Sequence, residues 1–200
     1  MTGLFCPTLP RAARTRAPDD TLSLLFVGRG VPNKAQDHLI LAVHALLESG
    51  RDARLTLVGS WDGSVRFEEH CRTLAERLQI GSHVTFAGSV SDDELAGHYA
   101  NADVFVCLSD HEGFCAPLIE AMHADLPIVA YAAGAVPWTV GGAGLVLTDK
   151  RPSMVAEAIA EVVSNPRLQA RFAANRERQT TYHAPEAVGR RVLESVERVR

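Results

Sequence analysis

Six short apolar runs, each followed by a stretch long enough for a helix, constrain this chain more than any other feature. The runs fall near 23–27, 54–58, 83–87, 103–108, 127–131 and 144–147. Helical spacing of apolar residues predicts helices at 35–49, 65–79, 91–100 and 116–124, then at about 153–164, 167–180 and 185–199. The run Val104-Phe105-Val106-Cys107-Leu108 shows no alternation of apolar and polar residues, which marks a strand buried on both faces, as in a parallel sheet. Strands joined by helices of this length require right-handed crossovers, so the expected fold is a doubly wound α/β domain. In such sheets ligands bind beyond the carboxyl ends of the strands, where the turns after Val27, Val58, Gly88 and Leu108 converge.

Composition narrows the function classes. With 200 residues, 46% of them hydrophobic, the chain can bury one full core. A net charge of -4 argues against a nucleic-acid partner, which needs a basic stripe. Cys6, Cys71, Cys107 and Cys115 have no Cys-x-x-Cys spacing, so a reduced, cytoplasmic chain is expected and no metal site is indicated. His111-Glu112 opens like a zincin motif, but position 115 is a cysteine where the second histidine belongs. No apolar stretch reaches the ~20 residues of a transmembrane helix. Residues 1–21 carry Arg11, Arg14 and Arg16 among three prolines and read as a linker or ragged start, leaving 22–200 as the domain, with 185–199 a terminal packing helix.

The chemistry concentrates in Glu112-Gly113-Phe114-Cys115-Ala116-Pro117-Leu118-Ile119-Glu120, between the fourth strand and its helix. Gly113 permits a sharp or close-approach turn. Pro117 suits the first helical turn. The amides of Phe114, Cys115 and Ala116 are then free at the positive end of the helix dipole to receive a phosphate, with Glu120 placed to accept hydrogen bonds from sugar hydroxyls. Gly28-Arg29-Gly30 matches a dinucleotide fingerprint only weakly, because Asn33 stands where the third glycine falls. Gly141-Gly142-Ala143-Gly144 lacks the Walker lysine and reads as a mobile turn near the site rim.

The Glu112–Glu120 block resembles the donor-site motif of the group 1 retaining glycosyltransferases, enzymes of the GT-B fold. Leu24-Leu25-Phe26-Val27-Gly28-Arg29 with Pro32-Asn33-Lys34, Leu55-Thr56-Leu57-Val58-Gly59, His83 to Val90 and Glu120 to Ala130 are similar to further family motifs in family order. The resemblance implies a Rossmann-like domain, the C-terminal half of a GT-B enzyme, that binds a nucleotide-diphosphate sugar without cofactor or metal. It implies that Arg29 and Lys34 neutralise the leaving diphosphate and that Glu112 meets the transferred sugar. It gives Glu120 the ribose and Ser89 and Val90 the base, with Gly28, Gly59 and Gly113 to Ala116 lining the substrate.

Four residues depart from the family pattern. Ala35, Leu108 and Asp125 are expected to alter packing alone, whereas Trp138 replaces a glutamate with a surface able to stack on a ring and is expected to change acceptor or sugar contacts. The motifs begin near the start of the chain, so the acceptor domain is expected on a separate partner, and the apolar Val188, Val192, Leu193, Val196 and Val199 offer it a face. The acceptor itself is not legible. Two functions stay open: the donor half of a sugar-transferring enzyme, or a nucleotide-sugar binding module or split-enzyme subunit without turnover of its own.

Overall fold

The computed structural model describes residues 21–197. Residues 1–20, with Cys6 and the arginines assigned to a linker, lie outside the described residues, as do Val199 and the side chains of Val192 and Val196. The described strands are β1 (Leu22–Val27), β2 (Ala53–Val58), β3 (Val84–Gly88), β4 (Val104–Cys107), β5 (Ile128–Tyr131) and β6 (Leu145–Leu147). They form one parallel sheet in the order β3-β2-β1-β4-β5-β6. The helices are α1 (Gln36–Glu48), α2 (Val65–Arg77), α3 (Asp92–Asn101), α4 (Ala116–His123), α5 (Val136–Val140), α6 (Pro152–Ser164), α7 (Pro166–His183) and α8 (Pro185–Glu197). This is the doubly wound α/β architecture expected from the sequence.

Each sheet face carries its own core. Leu39, Ile40, Val43 and Leu46 of α1, Cys71 of α2 and Val155, Ile159 and Val162 of α6 pack with Leu24, Phe26, Leu55 and Val106 on one face. On the other, Tyr99 of α3, Leu118, Ile119 and Met122 of α4 and Val136 of α5 meet Leu25, Phe105 and Ile128. The alternation Leu24–Leu25–Phe26 along β1 therefore sends successive side chains into opposite cores, as a strand's period of two requires. Every residue of β4 is buried. Each such side chain contributes roughly 1.5–3 kcal/mol relative to an exposed one. Helix α7 reaches across, packing on α6 and on α4.

Helices α1, α2 and α4 end alike. Arg51 N–H bonds to Leu46 O, Ile80 to Ala75 O and Leu126 to Ala121 O, each at 2.9–3.0 Å, with the preceding residue left-handed. This is the Schellman termination. Glycine fills the left-handed position only after α1, at Gly50; Gln79 and Asp125 fill the other two, with φ of 60° and 55°. Ala35, ahead of α1, has φ 52°. Ala35 and Asp125 thus carry backbone strain as well as packing changes, contrary to the expectation from sequence. Leu108 is fully buried.

Two further expectations are corrected. The left-handed turn at the start of α4 is made by Cys115 (φ 60°, ψ 69°), and a Cβ on Gly113 would meet open space. The glycine-rich turn is also not loose, because Asn175 donates to Gly142 O at 3.0 Å and Arg178 and Gln179 donate to Gly141 O. Helix α5, which ends in that turn, has no counterpart in the sequence reading.

Candidate functional site

Strands β1 and β4 are neighbours whose connections leave to opposite faces, so a crevice opens where they end. After the β1 turn, the 3-10 turn Pro32–Lys34 carries its lysine into that crevice. Lys34 Nζ donates to Glu112 Oε1 at 2.7 Å. The two residues are 78 positions apart and come from the two loops flanking the switch point. Glu112 is 6% exposed and Lys34 19%. A carboxylate buried this deeply requires its partner cation.

The surrounding loops hold that pair. Asp110 N–H donates to Asn33 O at 2.8 Å, tying the β4 loop to the β1 loop. Ala135 N–H donates to Glu112 O at 3.0 Å, and Gly134, at φ 55°, lies so close that a Cβ there would clash with the same carbonyl. Thr139 of α5 donates to Phe114 O at 2.8 Å. Gln36 of α1, 1% exposed, donates to Arg29 O at 2.8 Å and fixes the turn that carries Arg29, whose own side chain is exposed. Gly59 packs on the backbone of Gly28 with φ 135°, which joins the β1 and β2 turns.

Helix α4 begins at Ala116 with Pro117 in its first turn, and no side chain caps it. The positive end of its dipole therefore faces the same crevice without an internal carboxylate. One turn on, Glu120 accepts from the buried Tyr99 hydroxyl at 2.7 Å through Oε2. Burial raises the Glu120 pKa above its ordinary value, and the Tyr99 hydrogen bond offsets part of that rise. Ser89 is exposed and Val90 half-buried in the turn between β3 and α3. The expected residues thus lie along one sheet edge: Lys34 and Glu112 in contact, Arg29 in the adjoining turn, Glu120 paired with Tyr99, and Ser89 and Val90 at the far strand.

Lys150 and several contacts at this edge were invisible in the sequence. Lys150 forms an ion pair with Asp110 and also reaches Leu108 O at 3.4 Å, adding a cation to the edge. No motif marks it, since it follows the short strand β6. Trp138, 54% exposed on α5, stands edge-on to His183 of α7 with ring centroids 4.7 Å apart, and Phe114 meets the same imidazole at 5.2 Å. Cys107, Cys115 and Glu112 also converge, with the two sulfurs 3.9 Å apart although they lie eight positions apart in sequence.

A family model described as glycosyl transferases group 1 matches residues 11–179. The chain is 35% identical over 165 residues to a GDP-mannose-dependent alpha-(1-6)-phosphatidylinositol monomannoside mannosyltransferase of Mycobacterium tuberculosis, an alignment covering 78% of this chain and 42% of that protein. It is also similar in fold to Anabaena HepE solved with UDP and glucose, with a TM-score of 0.77 and 22% identity over 88% of this chain and 48% of that one. The C-terminal domain of a group 1 glycosyl transferase, LpcC of Francisella tularensis, superposes with a TM-score of 0.72 and 21% identity over 90% of this chain and 98% of that domain. The chain therefore spans less than half the length of that mannosyltransferase and of HepE.

Proposed function

The chain belongs to the group 1 glycosyltransferases, and on that premise we propose that it is the donor-binding half of an enzyme that moves a sugar from a nucleotide-diphosphate donor to an acceptor with retention of configuration. The observation that carries this reading is the Lys34–Glu112 pair at the β1/β4 switch point, beside the uncapped start of α4. The donor diphosphate lies against the amides of Phe114 to Ala116. Lys34 turns from Glu112 toward the phosphate, and Arg29 closes on it from the exposed turn. Together they take up the charge that grows on the leaving group as the glycosidic bond breaks, with no metal or other cofactor assigned a part.

Release of Lys34 leaves the Glu112 carboxylate free to hold a sugar hydroxyl or to face the positive character at the anomeric carbon. Glu120 keeps Oε2 on Tyr99 and offers its other oxygen to the ribose. Gly28, Gly59 and Gly113 let the ligand approach main chain, and Ser89 and Val90 meet the base. Trp138 supplies a ring face at the rim for the acceptor or the sugar. A partner domain N-terminal in the family's order supplies the rest of the acceptor site, and exposed Val188 and Leu193 of α8 belong to the face toward it.

Calorimetry of the chain with UDP, GDP and ADP tests the reading. One nucleotide binds best, and Lys34→Ala and Glu120→Ala each weaken it roughly tenfold or more, a loss of about 1.4 kcal/mol. No binding of any of the three at millimolar concentration overturns it. Without turnover of its own, the same site would serve a nucleotide-sugar binding module or a split-enzyme subunit. Donor turnover with added acceptor separates the two.

A further inference from the structure

We propose that Cys107, Cys115 and Glu112 form a binding site for a thiophilic divalent cation, zinc above all, and that its occupation takes the Glu112 carboxylate away from Lys34. The inference stands on the two thiols and does not depend on the donor reading.

Geometry is the first support. The Cys107 and Cys115 sulfurs lie 3.9 Å apart, and Cys107 Sγ lies 3.8 Å from Glu112 Oε1. Two sulfurs on a tetrahedral ion with ~2.3 Å bonds stand about 3.8 Å apart, and a sulfur and a carboxylate oxygen about 3.6 Å. The three donor atoms all fall within 4.8 Å of one another, so an ion fits among them with shifts of a few tenths of an ångström. These three donors leave the fourth tetrahedral position to water.

Donor chemistry is the second support. Two sulfurs and one carboxylate oxygen select zinc, or cobalt and cadmium as its probes, over magnesium or calcium, which require oxygen ligands. Each ion bound breaks two S–H bonds; the sulfur lone pairs go to the metal and two protons go to solvent. The two sulfurs already lie within hydrogen-bonding distance of each other, so little movement is needed for both to turn to one ion. Cys71 does not compete: it lies buried in α2, where burial pushes its thiol up to about 12.

Accessibility and consequence follow from the neighbours. Cys115 is half-buried and Lys34 partly exposed, so an ion enters from the crevice. The Lys34 ammonium lies 2.7 Å from the Glu112 oxygen the ion needs. The ion draws the carboxylate's charge to itself and repels the ammonium beside it, so the lysine, on its flexible stem, swings into solvent. The ion thus disables the carboxylate at the switch point.

The test is a cobalt titration of the chain kept reduced with a phosphine, in a Cys6→Ala background that removes the thiol outside the described residues. One equivalent of cobalt gives the intense visible bands of tetrahedral coordination with a sulfur charge-transfer band, and zinc displaces it. Cys115→Gly is the decisive variant, since its backbone already holds the left-handed conformation glycine favours. It weakens cobalt binding at least about tenfold and removes roughly half of the sulfur band, and Cys107→Ser does the same. Glu112→Gln keeps the sulfur band and loses affinity. A weak six-coordinate spectrum, or a Cys115→Gly titration that matches the parent, overturns the site; unchanged affinity in Glu112→Gln removes the carboxylate from it.

Discussion

The Lys34–Glu112 contact concentrates the electrostatics of the site in one pair of atoms. Removing only the cation strands a carboxylate that is 6% exposed, while removing both charges leaves a neutral pair of similar shape. Lys34→Met is therefore expected to lower unfolding free energy by about 1–3 kcal/mol. Adding Glu112→Gln should recover most of it, by denaturant titration, without restoring nucleotide affinity or turnover. A double mutant as unstable as Lys34→Met would show that the lysine stem, not the charge, matters. Both residues could be read in the sequence because each sits in a recognisable family motif. Their direct contact could not, since no local spacing relates positions 34 and 112. Nor could the juxtaposition of Cys107 and Cys115: one ends a strand and the other opens a helix, and only the turn at Cys115 brings the sulfurs together.

Among elements, strands were the most legible, because a parallel strand buried on both faces must be continuously apolar. Boundaries from sequence fall within a few residues of the observed ones. Helix α5 escaped because five residues opened by a proline are too short to show helical periodicity. Left-handed positions escaped because four of them, at Ala35, Gln79, Cys115 and Asp125, lack the glycine that announces such a turn. Gln79 is exposed and ends α2, so Gln79→Gly relieves its φ of 60° without removing packing. A gain of about 0.5–1 kcal/mol is expected, seen as a higher Tm with nucleotide binding unchanged. The contact of α5 with α7 has its own pH response. Burial lowers the His183 pKa below its ordinary value of about 6.5, with Arg191 adding a like charge. Between the folded and unfolded values the unfolded chain holds the extra proton, so this stability is fully present above pH ~6.5 and is lost as pH falls from there through the lower folded value. Acidification toward pH 5 should change Trp138 emission and lower Tm; both effects shrink in His183→Gln, and the emission change vanishes in Trp138→Phe.

At the scale of the molecule, the doubly wound sheet was legible from alternation alone, because crossover geometry leaves few ways to join parallel strands. What alternation does not disclose is how the last helices tie the two faces together. Phe172 of α7 is 4% exposed within the α1–α2–α6 core, Asn175, Arg178 and Gln179 grip the glycine turn on the far side, and His183 reaches Trp138 and Phe114. A chain stopped at Asn165 keeps every strand but loses all of these contacts. Its thermal transition is expected to fall by roughly 6–20 °C, which is what 3–5 kcal/mol represents for a domain of this size, and hydrogen exchange should quicken in α4 and α5 before β1 and β2. Persistence of the parent Tm would count against a bracing role for α7. The same helix sets a rule for recombination: a chimera that borrows this sheet from one protein and its tail from another places its seam inside a single brace unless the junction lies beyond His183. Whoever swaps such halves inherits, with this eighteen-residue helix, the buried imidazole that backs Trp138.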